Sequence, residues 1–207
     1  MVATRKKFLC AVELLAAVLA LSVASGCEPA QRAPDDKAPL VEDEARIAPA
    51  TDVTVPDEEL LDQDGHPVRL RELFANRVVA VNFVFTTCTT ICSPMTAIFG
   101  RVQRDLGSAI DRDVRLVSIT LDPATDTPEK LRAYADRFDR RAGWTFLTGP
   151  PDRVKQVLRA LGGEASMKEG HRPLTLIGSA AEGRWQRVHG IAAPSQLASW
   201  IRLLVRE

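Results

Sequence analysis

The sequence has no excess of charge of either sign. It carries 27 lysine and arginine residues and 27 aspartate and glutamate residues among 207, so its formal net charge is zero. Because binding to the nucleic-acid backbone needs a clustered positive excess, we expect no nucleic-acid partner. Apolar residues at 45% and charged residues at 26% are instead typical of a globular domain with a hydrophobic core.

Cysteine is also scarce, and the common redox motifs are missing. Four cysteines are too few for a small domain held together by disulfides. No Cys-x-x-Cys pair is present, and Phe85 stands where a peroxiredoxin motif would place Thr before Cys88. The chemistry therefore depends on where the few cysteines lie.

The N-terminal segment has the three-part plan of an export signal. Basic residues at 5–7 precede an apolar stretch at 14–24, and the small residues 24–26 then lead to Cys27. A transmembrane anchor is the competing interpretation. It needs about 20 apolar residues, and Glu13 interrupts the run.

The end of this segment resembles a bacterial lipoprotein signal, in which a small residue and then Cys follow the apolar region. The resemblance implies that residues 1–26 are a signal peptide and that Cys27 is lipidated after cleavage. The protein is then exported and anchored to a membrane, facing the periplasm or the cell exterior. A secreted protein without lipid is the alternative, and it leaves Cys27 as an unpaired exported thiol.

Residues 27–52 are predicted to be a disordered tether. The segment from 28 to 55 has no aromatic residue and contains four prolines and acidic clusters such as 42–44. Such a segment cannot bury enough apolar surface to offset the entropy lost on ordering. We therefore expect the folded domain at residues 53–207.

The rest of the chain alternates between predicted strands and helices. A hairpin is predicted at 58–70 with Asp64-Gly65 at its turn, and the apolar run 78–85 is typical of a strand buried on both faces. The later elements are a helix at 94–106, a strand at 114–120, a helix at 127–138, a strand at 146–147, a helix at 151–161, a hairpin of 174–177 with 184–188, and a helix at 194–205. This order predicts an α/β fold with a thioredoxin-like mixed sheet flanked by helices and an added N-terminal β-hairpin.

Cys88 and Cys92 follow directly on the strand at 78–85, where open α/β sheets place their sites. The helix that begins there lowers a thiol pKa and favours the thiolate. Residues four apart on a helical turn have Cβ atoms about 5–6 Å apart, whereas a disulfide needs about 3.5–4.5 Å. Two thiolates that share a metal tolerate the wider gap, so the spacing favours a metal site.

Soft thiolates select Cu(I) or zinc. A structural zinc site usually takes four protein ligands, and the domain offers two cysteines and three histidines. His171 lies in a loop before the strand at 174–177, which neighbours the cysteine-bearing strand in a thioredoxin-like sheet. It is either a surface residue or a third ligand. Two sulfurs and one nitrogen would hold three-coordinate Cu(I), or Cu(II) with a fourth, weaker ligand.

Two stretches, FVFTTCTTICSPM and VSITLDPATDTPEKLRAYADRF, together with His171 before a strand, resemble the Sco/SenC family of copper proteins. Its members are thioredoxin-like, membrane-tethered proteins that help to assemble the binuclear copper centre of cytochrome c oxidase. The resemblance covers residues 53–205 and implies copper ligation by Cys88, Cys92 and His171.

The chain departs from the family pattern at two positions. Ser93 stands between the second cysteine and Pro94, whereas the family usually has Pro directly after that cysteine. Gly170 stands before His171, where the family often has Asp.

The resemblance implies a copper chaperone that delivers one copper ion to the copper-binding subunit of cytochrome c oxidase. The alternative is a thiol–disulfide reductase with Cys88 and Cys92 as its catalytic pair, which keeps the subunit's copper-ligating cysteines reduced. A redox or copper sensor is a third possibility. Because copper needs both cysteines as free thiolates, we also expect an exported thioredoxin-like reductant as a partner.

Two aspartates follow the strand at 114–120. Asp122 is interpreted either as a residue that orients a ligand or as an Asx turn into Pro123. Asp126 is interpreted as a turn residue.

Overall fold

The computed structural model describes residues 45–166 and 172–206. No helix within these ranges is long and apolar enough to cross a membrane. In chain order the strands and α-helices of these ranges are β1 (Arg46–Pro49), β2 (Glu59–Asp62), β3 (Pro67–Arg69), α1 (Leu70–Phe74), β4 (Val78–Val84), α2 (Cys92–Leu106), β5 (Val114–Thr120), α3 (Pro128–Asp136), β6 (Trp144–Thr148), α4 (Pro151–Ala160), β7 (Leu174–Ser179), β8 (Arg184–His189) and α5 (Pro194–Arg206).

These strands form one mixed sheet in the order β1-β8-β7-β4-β5-β6-β2-β3. The neighbours β4, β5 and β6 are parallel, with α2 and α3 in the connections between them. The other strand pairs are antiparallel, including the hairpin β2–β3 at one edge. The predicted α/β class, the mixed sheet and the added hairpin are confirmed.

The central strand β4 is buried along its whole length, as its apolar sequence predicts. Val79 and Phe83 pack in a cluster on one face with side chains of α1 and α4. Ala80 and Val84 pack in a second cluster on the other face with side chains of α2, α3 and α5. Because each buried Val or Phe side chain contributes about 1.5–3 kcal/mol, the strand that leads to the cysteines is firmly held.

The sheet begins earlier than the sequence predicts. β1 pairs with β8, with Arg46 opposite His189 and Pro49 opposite Gln186, although the prediction assigns residues 27–52 to the tether. Its sequence RIAP has no apolar run, and most of its residues are exposed. The strand forms by adding to the edge of β8, which no local pattern reveals. The predicted signal peptide and the rest of the tether, through residue 44, lie outside the described residues.

Candidate metal and thiol site

The two cysteines lie at one edge of the sheet. Val84 at the end of β4 is opposite Thr120 at the end of β5, so the loops after both strands leave the sheet side by side. Cys88 lies in the first of these loops, and Cys92 is the first residue of α2. The antiparallel β7 begins at this same edge. The structure thus brings the predicted pair together at the carboxyl ends of the parallel strands.

The sulfur of Cys88 takes the place of an N-cap. The backbone N–H of Cys92 donates to Cys88 Sγ at 3.3 Å, while the residue in the N-cap position, Ile91, makes no side-chain cap hydrogen bond. The Cys88 N–H donates to the carbonyl of Phe85 at 3.1 Å and closes the loop. A helix N-terminus favours negative charge, so this position stabilises a Cys88 thiolate.

The two thiols have very different pKa values. Burial raises the pKa of Cys88, but hydrogen bonds from Cys92 and Thr90 outweigh it and lower the pKa from 9.0 to about 7. Burial raises the pKa of Cys92 to about 12, and the Cys88 and Asp126 charges add to this rise. Neither of the two is in a disulfide. Near neutral pH the pair is therefore a partly exposed, partly ionised thiol beside a buried, protonated one.

Asp126 holds the cysteine loop to the sheet. Its carboxylate is fully buried and accepts hydrogen bonds from the backbone N–H of Thr86 at 3.2 Å, from Thr86 Oγ1 at 2.6 Å and from Thr120 Oγ1 at 2.6 Å. The interpretation of Asp126 as a turn residue describes only its backbone, whose N–H donates to the carbonyl of Asp122. The sequence signal that could have revealed this role is a pair of threonines, Thr86 just beyond the end of β4 and Thr120 at the end of β5.

Asp122 lies in the loop after β5 and is 8% exposed. Its N–H donates to Thr120 Oγ1 at 2.9 Å, and its carbonyl accepts from the N–H groups of Thr125 and Asp126. These bonds form a turn at the edge of the sheet where the cysteines lie. A role for its carboxylate in orienting a ligand stays a prediction.

A buried tyrosine on α3 supports the first turn of α2. Thr96 Oγ1 donates to the carbonyl of Cys92 at 2.8 Å and lies 2.8 Å from the hydroxyl of Tyr134, which therefore donates to it. Burial raises the pKa of Tyr134 to about 12, so the phenol keeps its proton at neutral pH. Sequence analysis missed this contact, since α3 shows only an ordinary amphipathic pattern.

The other predicted site residues, His171 and Cys27, lie outside the described residues. Within the described ranges, one further group has metal-ligand spacing, formed by Asp62, Asp64 and His66 in the β2–β3 turn. Asp62 already accepts from the N–H groups of Asp64 and His66, and Asp64 pairs with Arg132. The group is therefore explained as turn structure.

Comparison with known proteins finds that the chain is similar to Sco proteins. The sequence model described as SCO1/SenC matches residues 48–176. The SCO1 protein homolog of Bacillus subtilis (strain 168) is 41% identical over 88 residues, which are 42% of this chain and 45% of that relative. The match thus spans about half the length of that curated relative.

Solved structures agree in fold. The structure reported for a disulfide switch in BsSco, a member of the Sco family of cytochrome c oxidase assembly proteins, has a TM-score of 0.63 and 25% identity, covering 77% of this chain and 96% of that one. The copper-bound structure of Bradyrhizobium japonicum ScoI has a TM-score of 0.61 and 21% identity, covering 73% of this chain and 99% of that one. The predicted thioredoxin-like fold is confirmed.

Proposed function

The chain belongs to the SCO1/SenC family, and from that premise we propose that it is a copper chaperone. It binds one copper ion through Cys88, Cys92 and His171 and delivers the ion to the copper-binding subunit of cytochrome c oxidase. One observation carries the proposal: the Cys88 sulfur lies at the N-terminus of α2, 3.3 Å from the backbone nitrogen of the buried Cys92.

The chemistry of this pair fits copper. Thiolates are soft ligands that select Cu(I), and the pKa of Cys88, lowered to about 7, makes one thiolate available near neutral pH. Cys92 binds a metal only after it loses its proton, so copper binding releases protons and depends on pH. The cation then compensates a buried negative charge that is otherwise costly. Copper bound to structural relatives supports the choice of metal.

A third ligand from residue 171 agrees with the topology. β7 begins at Leu174, at the edge of the sheet where the cysteine loop lies. His171 precedes that strand by three residues. The proposed third ligand thus precedes β7, and the two cysteines follow the adjacent strand β4, in its loop and at the first residue of α2.

The unequal exposure of the two thiols sets the order in which they release the copper ion during delivery. Cys88 is partly exposed, whereas Cys92 is fully buried. A thiolate of the recipient reaches the copper from the side of Cys88 and replaces it first. Cys92 leaves last and recovers a proton, which its pKa of about 12 favours at neutral pH.

Copper titration of the reduced full chain tests the chaperone proposal. We expect one Cu(I) per chain, with thiolate–copper charge-transfer absorption, and no such binding by the double variant Cys88→Ser, Cys92→Ser. A matched control is Thr89→Ser, Thr90→Ser, which changes the same loop without removing a sulfur. Equal copper binding by the cysteine-free variant would contradict the proposal.

The unequal thiols also favour a second candidate, a thiol–disulfide reductase. The Cys88 thiolate attacks one sulfur of the target disulfide, releases the other as a thiol and forms a mixed disulfide. Cys92 then loses its proton and attacks Cys88 Sγ, which releases the second target thiol and leaves a Cys88–Cys92 disulfide. The target gains two electrons and two protons, and an exported thioredoxin-like protein must reduce the pair again.

His171→Ala separates the two candidates. A chaperone loses copper transfer to the metal-free oxidase subunit, while dithiol exchange with a small disulfide stays within about twofold of the parent chain. His189→Ala, at the end of β8, is the matched control. If His171→Ala leaves transfer intact and only the cysteine variants reduce activity, the reductase is the better assignment.

The anchor belongs to the same proposal. We place the chain on the outer side of a membrane, held by lipid on Cys27, because several acyl chains anchor stably where one does not. In a bacterial host, Cys27→Ser should abolish incorporation of labelled palmitate and release the protein from membranes. Cys10→Ser is the control, and equal labelling of the parent chain and Cys27→Ser would contradict lipidation at Cys27.

A further inference from the structure

A groove of about 500 Å³ runs along α2 between that helix and the chain that follows α3. Ile98, Phe138 and Pro194 contribute its apolar part. Helix and loop approach closely at Gly100, where an added Cβ would lie 2.9 Å from the carbonyl oxygen of Phe138. The fold therefore builds this groove without needing a partner to shape it.

Three exposed arginines, Arg101, Arg104 and Arg137, line the groove. Within the part of the chain that the structure describes, none of them is in an ion pair. Arg137 instead lies over the ring of Tyr134, 4.7 Å from its centroid. The groove's acidic residue, Asp139, already binds Arg141 at 2.8 Å. On a chain with no net charge, the groove is thus a local positive site over an apolar floor.

The groove lies close to the cysteines. Ile98 comes six residues after Cys92 on α2, which is about 9 Å along the helix axis. A chain of contacts also joins the two sites: Arg137 lies over Tyr134, and Tyr134 donates to Thr96, which donates to the carbonyl of Cys92. The near end of the groove, at Ala97 and Ile98, therefore lies about one and a half helical turns from Cys92 along α2.

We propose that this groove docks an acidic segment of a partner protein, with carboxylates on the three arginines and apolar side chains on the floor. Charge complementarity identifies the occupant, because arginines with no carboxylate partner among the described residues favour an anionic ligand that supplies carboxylates. A concave apolar floor suits a peptide segment better than a flat lipid surface. That this partner is the protein which exchanges copper or electrons with Cys88 rests on the proposed function.

The test uses the reduced, metal-free full chain, so its result does not depend on copper. The probe is a fluorescein-labelled peptide of the repeating sequence Glu-Glu-Leu, followed by anisotropy at about 0.01 M and about 0.15 M ionic strength. Arg101→Glu, Arg137→Glu reverses the charge of the groove. Arg71→Glu, Lys155→Glu makes the same charge change at exposed residues of α1 and α4. Arg101→Gln, Arg137→Gln removes the charge without reversal.

We expect saturable one-to-one binding that weakens about tenfold or more in the Glu variant of the groove. The Gln variant weakens binding less, and the α1 and α4 control changes it by less than about twofold. Equal weakening by the control would show attraction by overall charge and overturn the proposal. No binding by the parent chain would also overturn it, as would binding to vesicles of anionic phospholipid with no affinity for the peptide.

Discussion

At the residue scale, two thiols one helical turn apart are made chemically different by their surroundings. Cys88 Sγ accepts a hydrogen bond from the backbone N–H of Cys92 at the start of α2, whereas the Cys92 side chain is fully buried near the Asp126 carboxylate. Their pKa values of about 7 and about 12 follow from these contacts. The pair therefore offers one ready thiolate to a metal or a disulfide and keeps the second protonated until it is needed.

This difference predicts selective alkylation. Cys88 should react with iodoacetamide at a rate that rises with pH, is half-maximal near pH 7 and is level by about pH 9, because only the thiolate is nucleophilic. Cys92 should remain unmodified in the folded chain. Mass spectrometry of peptides after timed labelling measures both rates. Similar rates for the two cysteines, or a Cys88 rate still rising steeply above pH 9, would contradict the assignment.

Asp126 carries a second prediction. Asp126→Asn replaces one of the two carboxylate oxygens that accept hydrogen bonds from Thr86 and Thr120 with an amide N–H₂. At least one buried donor then loses its acceptor, so we expect a loss of about 1–3 kcal/mol in the free energy of unfolding. Urea denaturation measures the loss. The control Asp136→Asn removes an exposed carboxylate on α3 and should change stability by less than about 0.5 kcal/mol. Equal losses of stability in the two variants would show that Asp126 does not hold the cysteine loop to the sheet.

At the element scale, α2 begins at Cys92, two residues earlier than the sequence predicts. Pro94 suggests a helix starting near it, since proline is favoured in the first turn. The earlier start depends on Cys88 Sγ accepting the Cys92 N–H and on Thr96 bonding the Cys92 carbonyl. A cysteine is not among the residues that usually cap helices, so local sequence rules do not find this start.

The capping role of Cys88 has a measurable consequence. Cys88→Ala removes the acceptor for the first turn of α2 and should cost about 1 kcal/mol of stability, as other cap deletions do. Cys88→Ser keeps an oxygen acceptor and should recover at least half of that loss. Urea denaturation of the reduced, metal-free variants compares them. Identical stability of the Ala variant and the parent chain would show that the sulfur does not cap the helix.

Some elements follow from the sequence, and others depend on contacts between distant segments. The apolar run of β4 and the Thr127-Pro128 start of α3 specify their own structure, and both form as predicted. β1 and the buried Asp126 depend on partners 40 or more residues away, β8 and Thr86. The position of the cysteine pair could be predicted from the sequence, because the end of a strand and the start of a helix are local features. The contacts that make the two pKa values different could not be predicted in this way.

At the scale of the whole molecule, the site lies where several separate parts of the fold meet. The loops after β4 and β5, the first turn of α2 and the start of β7 share one edge of the sheet. A ligand that joins these parts stabilises the folded state, because the unfolded chain does not hold them together. Copper binding should therefore be visible as a gain in global stability.

We expect Cu(I) at about 100 times its dissociation constant to raise the free energy of unfolding by about 2.7 kcal/mol. Thermal unfolding of the reduced chain with and without Cu(I) measures the change. The variant Cys88→Ser, Cys92→Ser should show no increase. When a Cu(I) chelator removes the metal, the stability of the parent chain should fall back to its metal-free value. A similar increase in the cysteine-free variant would place the copper elsewhere.

X-ray absorption at the copper edge, on the one-to-one complex of the reduced full chain with Cu(I), tests the central claim most directly. Ligation by Cys88, Cys92 and His171 predicts a first shell of two sulfur atoms and one nitrogen. In Cys88→Ser, Cys92→Ser the sulfur scattering should disappear, and in His171→Ala the nitrogen should be lost or replaced. A first shell of nitrogen and oxygen alone in the parent chain would contradict the account, since the copper would then not be held by the pair at the start of α2.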